Sequence, residues 1–182
     1  MIGIMSTSIF DRISALAGME NVFAQGDAVF RQGDGVAALH LVTAGEIHLV
    51  RHLADGLALT LHRARPGSVL AEASLYSDSY HCDAVATSAA RTLSAPKSAV
   101  LRAMREDSAF SADWSAYLAH EVQSARLRSE ILALRTVSDR LDAWLTANGG
   151  RLPPKGDWKS VAAEIAVSPE AFYRELSRRK RC

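Results

Sequence analysis

The sequence predicts an α+β fold, in which an N-terminal antiparallel β-roll of jelly-roll type is followed by a long helix and a small helical domain. Between residues 22 and 96, glycines recur every 11 or 12 residues, at Gly33, Gly45, Gly56 and Gly67, a turn spacing typical of short strands. From about residue 97 the chain contains no glycine or proline until Gly149, which favours helix. With 48% of its 182 residues hydrophobic, the chain can build a packed core, which excludes intrinsic disorder.

Two patterns indicate strands and turns in the N-terminal part. Ile47 and Leu49 alternate with His48 and Val50, and leucines alternate with other residues across 57–62. Half-buried strands show this pattern because successive side chains point to opposite faces. The tripeptide Gln-Gly-Asp occurs at 25–27 and again at 32–34. Each copy predicts a turn, because glycine adopts positive φ and aspartate can bond the backbone that follows it.

The region after residue 97 predicts a long helix with two apolar faces. Two sets of apolar residues recur at helical spacing: Leu118, Val122, Ala125 and Leu132 on one face, and Leu127, Ile131 and Leu134 on its neighbour. Such a helix can pack on its own β-roll and on a second chain. The alternative is a helix buried in the core of a monomer, and periodicity alone leaves both open.

The C-terminal segment differs from the rest of the chain in charge. Residues 151–182 hold eight basic and four acidic side chains, whereas residues 1–150 hold 13 basic and 16 acidic ones. Glycines and prolines between Gly149 and Gly156 mark a loop. We therefore expect three segments: a β-roll over 1–108, a long helix and hinge over 109–147, and a small helical domain over 148–182. Because the whole chain has a net charge of only +1, any preference for nucleic acid has to be local.

Two short helices are predicted in this basic segment. Asp157 is placed to cap a helix that begins at Trp158. A second helix is predicted to begin after Ser168, with Ser168 at the N-cap and Pro169 in the first turn. Two short helices of which the second is basic predict a helix-turn-helix, a motif whose second helix enters the DNA major groove.

The second helix has a polar face that suits base recognition. Glu170, Arg174 and Arg178 follow at four-residue spacing, so they share a face. A glutamate can accept from cytosine N4, and an arginine can donate a bidentate pair to guanine that discriminates by about 1–3 kcal/mol. The predicted DNA-binding residues are Glu170, Arg174, Ser168, Tyr173, Lys159, Arg178 and Arg179. The alternative is a solvated helical hairpin with a basic tail.

Three blocks, in this order along the chain, resemble the Crp/Fnr family of bacterial transcription regulators. Residues 29–47 contain a Gly-Asp turn followed by a strand that ends at Gly45, similar to the family's β-roll signature. Residues 67–75 are similar to its phosphate cassette. Residues 161–174 resemble its helix-turn-helix, in which Glu170 and Arg174 match the base-reading glutamate and arginine.

The resemblance implies a β-roll that senses a signal, a dimerisation helix over 114–134, and paired recognition helices that read a palindromic operator. Its implied partners are DNA, a second copy of the chain in a homodimer, RNA polymerase and an unidentified small-molecule effector. The sequence shows no leader pattern and no long apolar run, so we expect a cytoplasmic protein without a membrane partner. Family members continue into a two-stranded wing, whereas this sequence stops at Cys182, so we expect fewer phosphate contacts.

The resemblance also places a ligand pocket at Glu72, Ala73, Cys82 and Asp83. In cyclic-nucleotide binders an arginine and a hydroxyl-bearing residue follow the cassette, because a phosphodiester needs a cation and hydrogen-bond donors. Cys82 and Asp83 stand at those positions here, and a carboxylate repels an anion. We therefore expect no binding of cyclic AMP, and we predict no cofactor.

Several roles stay open for Cys82. In a strand it would face the same way as Ala84 and Ala86, as a small buried residue. It could instead ligate haem or a metal together with one of the six histidines, although these show no ligand-pair spacing and no metal site is predicted. A redox-sensing thiol would need exposure and a lowered pKa. No phosphate loop, nucleophile elbow or zinc-protease motif occurs, so we predict a non-enzyme without catalytic residues.

Overall fold

The computed structural model describes residues 3–52 and 58–180, with side chains for residues 9–52 and 60–180. The helices and strands are α1 Gly3–Ser14, β1 Met19–Phe23, β2 Ala28–Phe30, β3 Ala38–Ala44, β4 Ile47–His52, β5 Ala58–Ala64, β6 Val69–Leu70, β7 Asp83–Ala86, β8 Ala90–Pro96, α2 Lys97–Glu106, α3 Ser108–Ala133, α4 Val137–Ala147, α5 Trp158–Glu164 and α6 Pro169–Arg179. Gly56, Leu57 and the side chain of Leu59, which contributed to the strand prediction, lie outside the described residues.

The strands form two four-stranded antiparallel sheets, ordered β1-β8-β3-β6 and β2-β7-β4-β5. The predicted alternation in β4 is confirmed, because Ile47 and Leu49 are buried while His48 and Val50 are partly exposed. Helix α1 adds Ile9 and Ile13 to the core of the roll. The predicted α+β class with an N-terminal β-roll is thereby confirmed.

The chain passes from the first sheet to the second through a turn at Gly45, which lies between β3 and β4. Its φ is 78°, and a Cβ at this position would overlap the carbonyl oxygen of Ala89 and lie 2.7 Å from the Cα of Ala90. Because both neighbours are backbone atoms, only glycine fits. The turn at Gly67 also has positive φ, at 95°, but it has no atom within 4 Å of the same position.

Both predicted Gln-Gly-Asp turns are present, with a different hydrogen bond from the one expected. The carboxylate of Asp27 accepts from the N–H of Ala24 at 2.7 Å, and that of Asp34 accepts from the N–H of Arg31 at 2.9 Å. The aspartates therefore bond backbone that precedes them, whereas the sequence argument for these turns had considered the backbone that follows. The physical reason is the positive φ of the intervening glycine, which turns the preceding N–H back toward the carboxylate.

The region predicted as a long helix and hinge over 109–147 consists of two helices, α3 and α4, separated by residues 134–136, and the sequence did not predict where this break lies. The Asp107 carboxylate accepts from the N–H groups of Ala109 and Phe110 at 2.8 and 3.1 Å and starts α3. The Thr136 hydroxyl accepts from the N–H of Asp139 at 3.1 Å and starts α4. These side-chain caps supply the partners that helix ends need without glycine or proline.

The chain divides into two compact units, residues 1–118 and 119–182. The core of the second unit contains large side chains from α3, α4, α5, the residue after α5, and α6: Ile131, Leu141, Trp144, Val161, Ile165 and Phe172. Helix α4 thus shares a core with the two predicted short helices, because its apolar side packs on them. The assignment of separate functions to the segments 1–108, 109–147 and 148–182 stays a prediction.

The two predicted apolar faces of α3 have different environments. Ile131 is buried and Leu127 packs on the core of the second unit. Val122 and Leu132 are 48% and 45% exposed, and Ala125 is also exposed. One face therefore serves the core of the second unit, while the other begins at Leu118, which packs on the core of the first unit, and lies open at Val122, Ala125 and Leu132. Across residues 3–52 and 58–180, no helix is long and apolar enough to cross a membrane.

Candidate functional site

The two short helices of the second unit form where the sequence predicts them. The Ser168 hydroxyl accepts from the N–H of Ala171 at 3.2 Å, and Pro169 occupies the first turn of α6, which confirms both predictions. The turn before α6 contains Ala166 with φ of 50°. On the inner side of α6, Phe172 is fully buried, and its ring centroid lies 6.4 Å from that of Trp158. These contacts fix which side of α6 faces outward.

Asp157 does not cap α5 as predicted. It stands at the N-cap position, but its side chain makes no capping hydrogen bond. The reason is that a 3₁₀ turn over Lys155–Asp157 leads directly into α5 and gives Asp157 a φ of −93° and a ψ of 0°. An N-cap side chain reaches the first N–H groups from an extended backbone, which is absent at this residue.

The outward side of α6 carries Glu170, Arg174 and Arg178, all exposed, so the predicted shared face is confirmed. The pKa of Glu170 is lowered by hydrogen bonds from its own backbone N–H and from the Ser168 hydroxyl, and further by the charges of Arg174 and Lys159. Glu170 is therefore a carboxylate at neutral pH and can only accept hydrogen bonds. A carboxylate and a guanidinium one helical turn apart form an edge that can both accept and donate.

Two further predicted residues flank this edge. Lys159 is exposed on α5. Tyr173 is half-buried, with its ring centroid 5.9 Å from that of Trp158. The structure thus places Glu170, Arg174, Lys159 and Tyr173 around the start of α6, where the helix dipole adds partial positive charge. Their contact with DNA stays a prediction.

Arg178 and Arg179, also predicted to bind DNA, make an internal network around Glu175. Arg178 forms two bonds of 2.9 Å to the two carboxylate oxygens of Glu175, and Arg179 Nε bonds Oε1 at 2.7 Å. Arg179 also reaches α4, where its Nη1 bonds Asp142 at 2.6 Å and its Nη2 bonds the carbonyl oxygen of Ser138 at 3.1 Å. Hydrogen bonds from Arg178 and Arg179 lower the pKa of the buried Glu175 to about 2. This network holds α6 on α4, and contact of either arginine with DNA stays a prediction.

The predicted ligand pocket begins at a strained turn in the first unit. Ala71 has φ of 71°, which is unusual for a residue with a Cβ. It leads into a 3₁₀ turn over Glu72–Ser74, in which Glu72 is half-buried and Ala73 is exposed. The Ser74 hydroxyl lies 2.9 Å from Nδ1 of His81, which links the turn to the segment that carries Cys82.

Cys82 and Asp83 present the wrong chemistry for a phosphodiester. Cys82 is 2% exposed and faces the interior with Ala84 and Ala86, as predicted. Asp83 accepts from the backbone N–H of Gln32 at 2.7 Å and lies 3.4 Å from Nε2 of His52. A buried thiol and a carboxylate offer neither a cation nor a hydroxyl at these two positions, so they do not fit the anion that the fold family would imply.

The surroundings of Cys82 offer little support for a redox-sensing thiol or a metal ligand. Burial raises the pKa of the Cys82 thiol, and the charge of Arg51 counters this only in part, so the reactive thiolate is disfavoured. In the part of the chain with described side chains, no group of three or more His, Cys, Asp or Glu residues could hold a metal ion.

Sequence reasoning missed Arg140, whose guanidinium lies between α3 and the turn that precedes α6. The Thr136 cap of α4 was also missed, although Thr136 and Asp139 have the three-residue spacing of an N-cap motif. No comparable signal exists for Arg140, because its partners are backbone carbonyls that any residue could supply.

The described chain therefore combines a two-sheet β-roll with helices that end in a helix-turn-helix. Residues 20–107 match the family model described as "Cyclic nucleotide-binding domain", so the β-roll is similar to that domain family. No curated protein matches the sequence.

Solved structures of bacterial regulators share the fold. FixK2 from Bradyrhizobium japonicum is 19% identical with a TM-score of 0.70, and the match covers 88% of this chain and 83% of FixK2. CLP of Xanthomonas campestris, titled a c-di-GMP responsive global regulator, is 17% identical with a TM-score of 0.65, covering 96% and 91%. The Thermus thermophilus catabolite activator protein is 23% identical with a TM-score of 0.56, covering 94% and 82%. The predicted resemblance to the Crp/Fnr family is thereby confirmed for the fold.

Proposed function

We propose that this protein is a DNA-binding transcription regulator of the Crp/Fnr type, in which α6 is the helix that reads bases. The observation that carries the proposal is the pairing on α6 of an exposed, ionised Glu170 with an exposed Arg174 one turn away. The opposite side of the helix is anchored by Phe172 and by the Glu175 network, so the edge is presented on a rigid support. Such an edge suits a C·G pair, since glutamate accepts from cytosine and arginine donates to guanine.

Two copies of the chain form the active species in this proposal. A reading helix on each copy would address one half-site of a palindromic operator. The open face of α3, with Val122, Ala125 and Leu132, supplies apolar surface for the contact between copies. RNA polymerase and a small-molecule effector are the further partners that this type of regulator would use.

The effector in this proposal is not cyclic AMP. Asp83 would repel the phosphodiester and Cys82 could not hold it. In calorimetry, wild-type protein is expected to show no saturable heat with cyclic AMP up to about 1 mM, the concentration at which a site worth about 4 kcal/mol would be half filled. A micromolar dissociation constant would overturn this part of the proposal and leave the DNA-reading part intact.

The experiment that tests the DNA-reading proposal is a selection of genomic fragments by purified protein at a stated salt concentration, because phosphate contacts make affinity depend on salt. The expected result is enrichment of a two-fold symmetric site. Glu170→Ala and Arg174→Ala are each expected to relax the preference at one position of the half-site, at a cost of about 1–3 kcal/mol.

Lys159→Ala is the matched control, because an exposed lysine beside the edge is placed for phosphate rather than bases. It should weaken binding to all sequences alike and reduce the salt slope by about 1. An unchanged base preference in Glu170→Ala and Arg174→Ala would contradict the assignment of α6. Absence of any enriched site would instead favour a sensory module that binds a small molecule or a protein partner.

A further inference from the structure

The guanidinium of Arg140, near the start of α4, donates hydrogen bonds to four backbone carbonyls from two separate places. At the end of α3, Nε bonds the carbonyl oxygen of Leu134 at 2.8 Å and Nη2 that of Leu132 at 3.1 Å. At the turn between α5 and α6, Nη1 bonds the carbonyl oxygens of Ile165 and Ala166, both at 3.1 Å. One side chain therefore connects the end of α3 to the turn of the helix-turn-helix.

These carbonyls lie at or just beyond the C-terminal ends of two helices, where backbone oxygens need a donor from outside the helix. The last carbonyls of a helix have no intrahelical partner, and α3 ends at Ala133 while Ile165 is the C-cap of α5. A cation is also favoured at the negative end of a helix dipole. Arginine fits because its planar group presents five N–H donors in fixed directions, whereas lysine offers a single nitrogen.

Arg140 lies next to the short link between α3 and α4. Residues 134–136 link α3 to α4, and two of the four Arg140 bonds span this link. On the other side, α4 holds the end of α6 through Arg179, which bonds Asp142 and Ser138. Helix α4 therefore carries the helix-turn-helix at two points, and Arg140 ties that assembly to the end of α3.

We propose that Arg140 is a positioning residue that fixes the orientation of α6 relative to the C-terminal part of α3, and with it the half-site spacing that a pair of reading helices accepts. The second part rests on the proposed function, in which α3 joins two copies and α6 reads bases. If α3 holds the two copies together, any freedom between α3 and α6 becomes freedom in the distance between the two reading helices.

A distance measurement in the free protein tests the first part without DNA. Spin labels are placed at the exposed positions Ser129 and Ser177, in a background with Cys82→Ala and Cys182→Ser, and labelled chains are diluted with unlabelled ones. The expected result is one narrow distance distribution for the parent. Arg140→Gln should broaden or shift it, and Arg140→Lys should do the same although the charge is kept. Arg135→Gln, which alters an exposed arginine in the same link, should leave it unchanged.

Circular dichroism and tryptophan emission first establish that each variant is folded. If Arg140→Gln is not folded, the distance distribution of Arg140→Lys decides the test. If a folded Arg140 variant keeps the distance distribution of the parent, the inference is overturned, independently of any result on DNA binding.

Operators whose half-site separation varies by one base pair in either direction test the second part. The parent is expected to prefer one separation by at least about tenfold, because only a matched geometry lets both helices bind together. In Arg140→Gln this preference should fall to less than about threefold, while affinity for a single half-site stays within about twofold, since base contacts are unaltered.

The outcomes separate the two proposals. A parent that binds no operator removes the proposed function and leaves the distance result to decide the role of Arg140. A parent that selects one spacing, together with an Arg140→Gln variant that selects it equally well, removes the positioning role and leaves the proposed function in place.

Discussion

One weakly exposed ionisable side chain from each compact unit, His40 from the first and Glu175 from the second, is held in the opposite charge state from the other. In the β-roll, the Ser94 hydroxyl lies 3.0 Å from Nδ1 of His40 and accepts from Asn21 at 2.7 Å, and burial lowers the pKa of His40 to about 4. In the second unit, the bonds from Arg178 and Arg179 lower the pKa of Glu175 to about 2. At neutral pH the histidine is therefore neutral and the glutamate is ionised.

The difference shows that burial alone does not decide ionisation. Burial disfavours the charged form of any group, and the partners decide whether that penalty is offset. His40 has neutral hydrogen-bond partners, so burial dominates. Glu175 has two guanidinium groups on its oxygens, so the charged form is favoured. The charge state of His40 is thus set by packing, whereas that of Glu175 is set by charged hydrogen bonds.

The largest effect is expected from Gly45→Ala, which should disrupt the first unit and spare the second. Its Cβ would overlap the backbone at Ala89 and Ala90, at a cost of at least about 3 kcal/mol. Gly67→Ala is the matched control, since it has similar φ and open space, and should cost about 1 kcal/mol. Hydrogen exchange resolved by peptide gives the stability of each unit separately. Equal losses in the two variants would contradict the steric explanation.

Glu175→Gln is expected to have the next largest effect and to act on the second unit. It leaves Arg178 and Arg179 without their shared carboxylate, which should cost about 1.5–3 kcal/mol, because hydrogen bonds to charged groups are the stronger ones. Glu130→Gln, an exposed change on α3, should alter stability by no more than about 0.5 kcal/mol. Exchange of α6 amides that stays at the parent rate in Glu175→Gln would show that the network is not needed.

The pH dependence of the two units sharpens the same comparison. Between about pH 6.5 and 4 the unfolded chain protonates His40 and the folded roll does not, so lowering the pH through this window should destabilise the first unit. Glu175 is ionised when folded and protonated when unfolded between about pH 4.5 and 2, so the second unit should lose stability in that lower window. His40→Gln should reduce the loss of stability in the upper window and Glu175→Gln the loss in the lower one, where Glu170 also contributes. Loss of both windows in either variant would contradict the assignment.

The smallest expected effect is on thiol reactivity. In a Cys182→Ser background, Cys82 should remain unlabelled by a thiol reagent at pH 7 until the roll unfolds, because it is 2% exposed and burial raises the pKa of its thiol. The readout is labelling with and without denaturant. Fast labelling of the native protein would restore the redox-sensor hypothesis.

Much of the fold could be predicted because its signals are local. The alternation of Ile47 and Leu49 and the start of α6 at Ser168 each depend on residues a few positions apart. The breaks before α3 and α4 were missed for the opposite reason. Asp107 and Thr136 are ordinary polar residues in a helical composition, and they act as caps only where the chain leaves the helical backbone.

The candidate site shows the same difference between features with local sequence signals and features without them. Glu170 and Arg174 could be predicted to share an exposed face from their spacing, since a helix repeats every 3.6 residues or so. The sequence could not distinguish Arg178, which lies on that face but bonds Glu175, from an arginine directed wholly to solvent. The charge of an arginine predicts that it will donate hydrogen bonds to an acceptor, but it does not predict which acceptor.

The sequence by itself determined the succession of a β-roll and helices, several turns, the helix-turn-helix and the residues on its outward edge, because each follows from periodicity or capping within a few residues. Only the tertiary structure decided that Arg179 binds Asp142 across 37 positions and that Arg140 binds Ala166 across 26. Those partners are brought together by burial of the shared apolar core of α3, α4, α5 and α6. Burial also decided the charge states of His40 and Glu175, because the balance between desolvation and charged partners exists only in the folded chain.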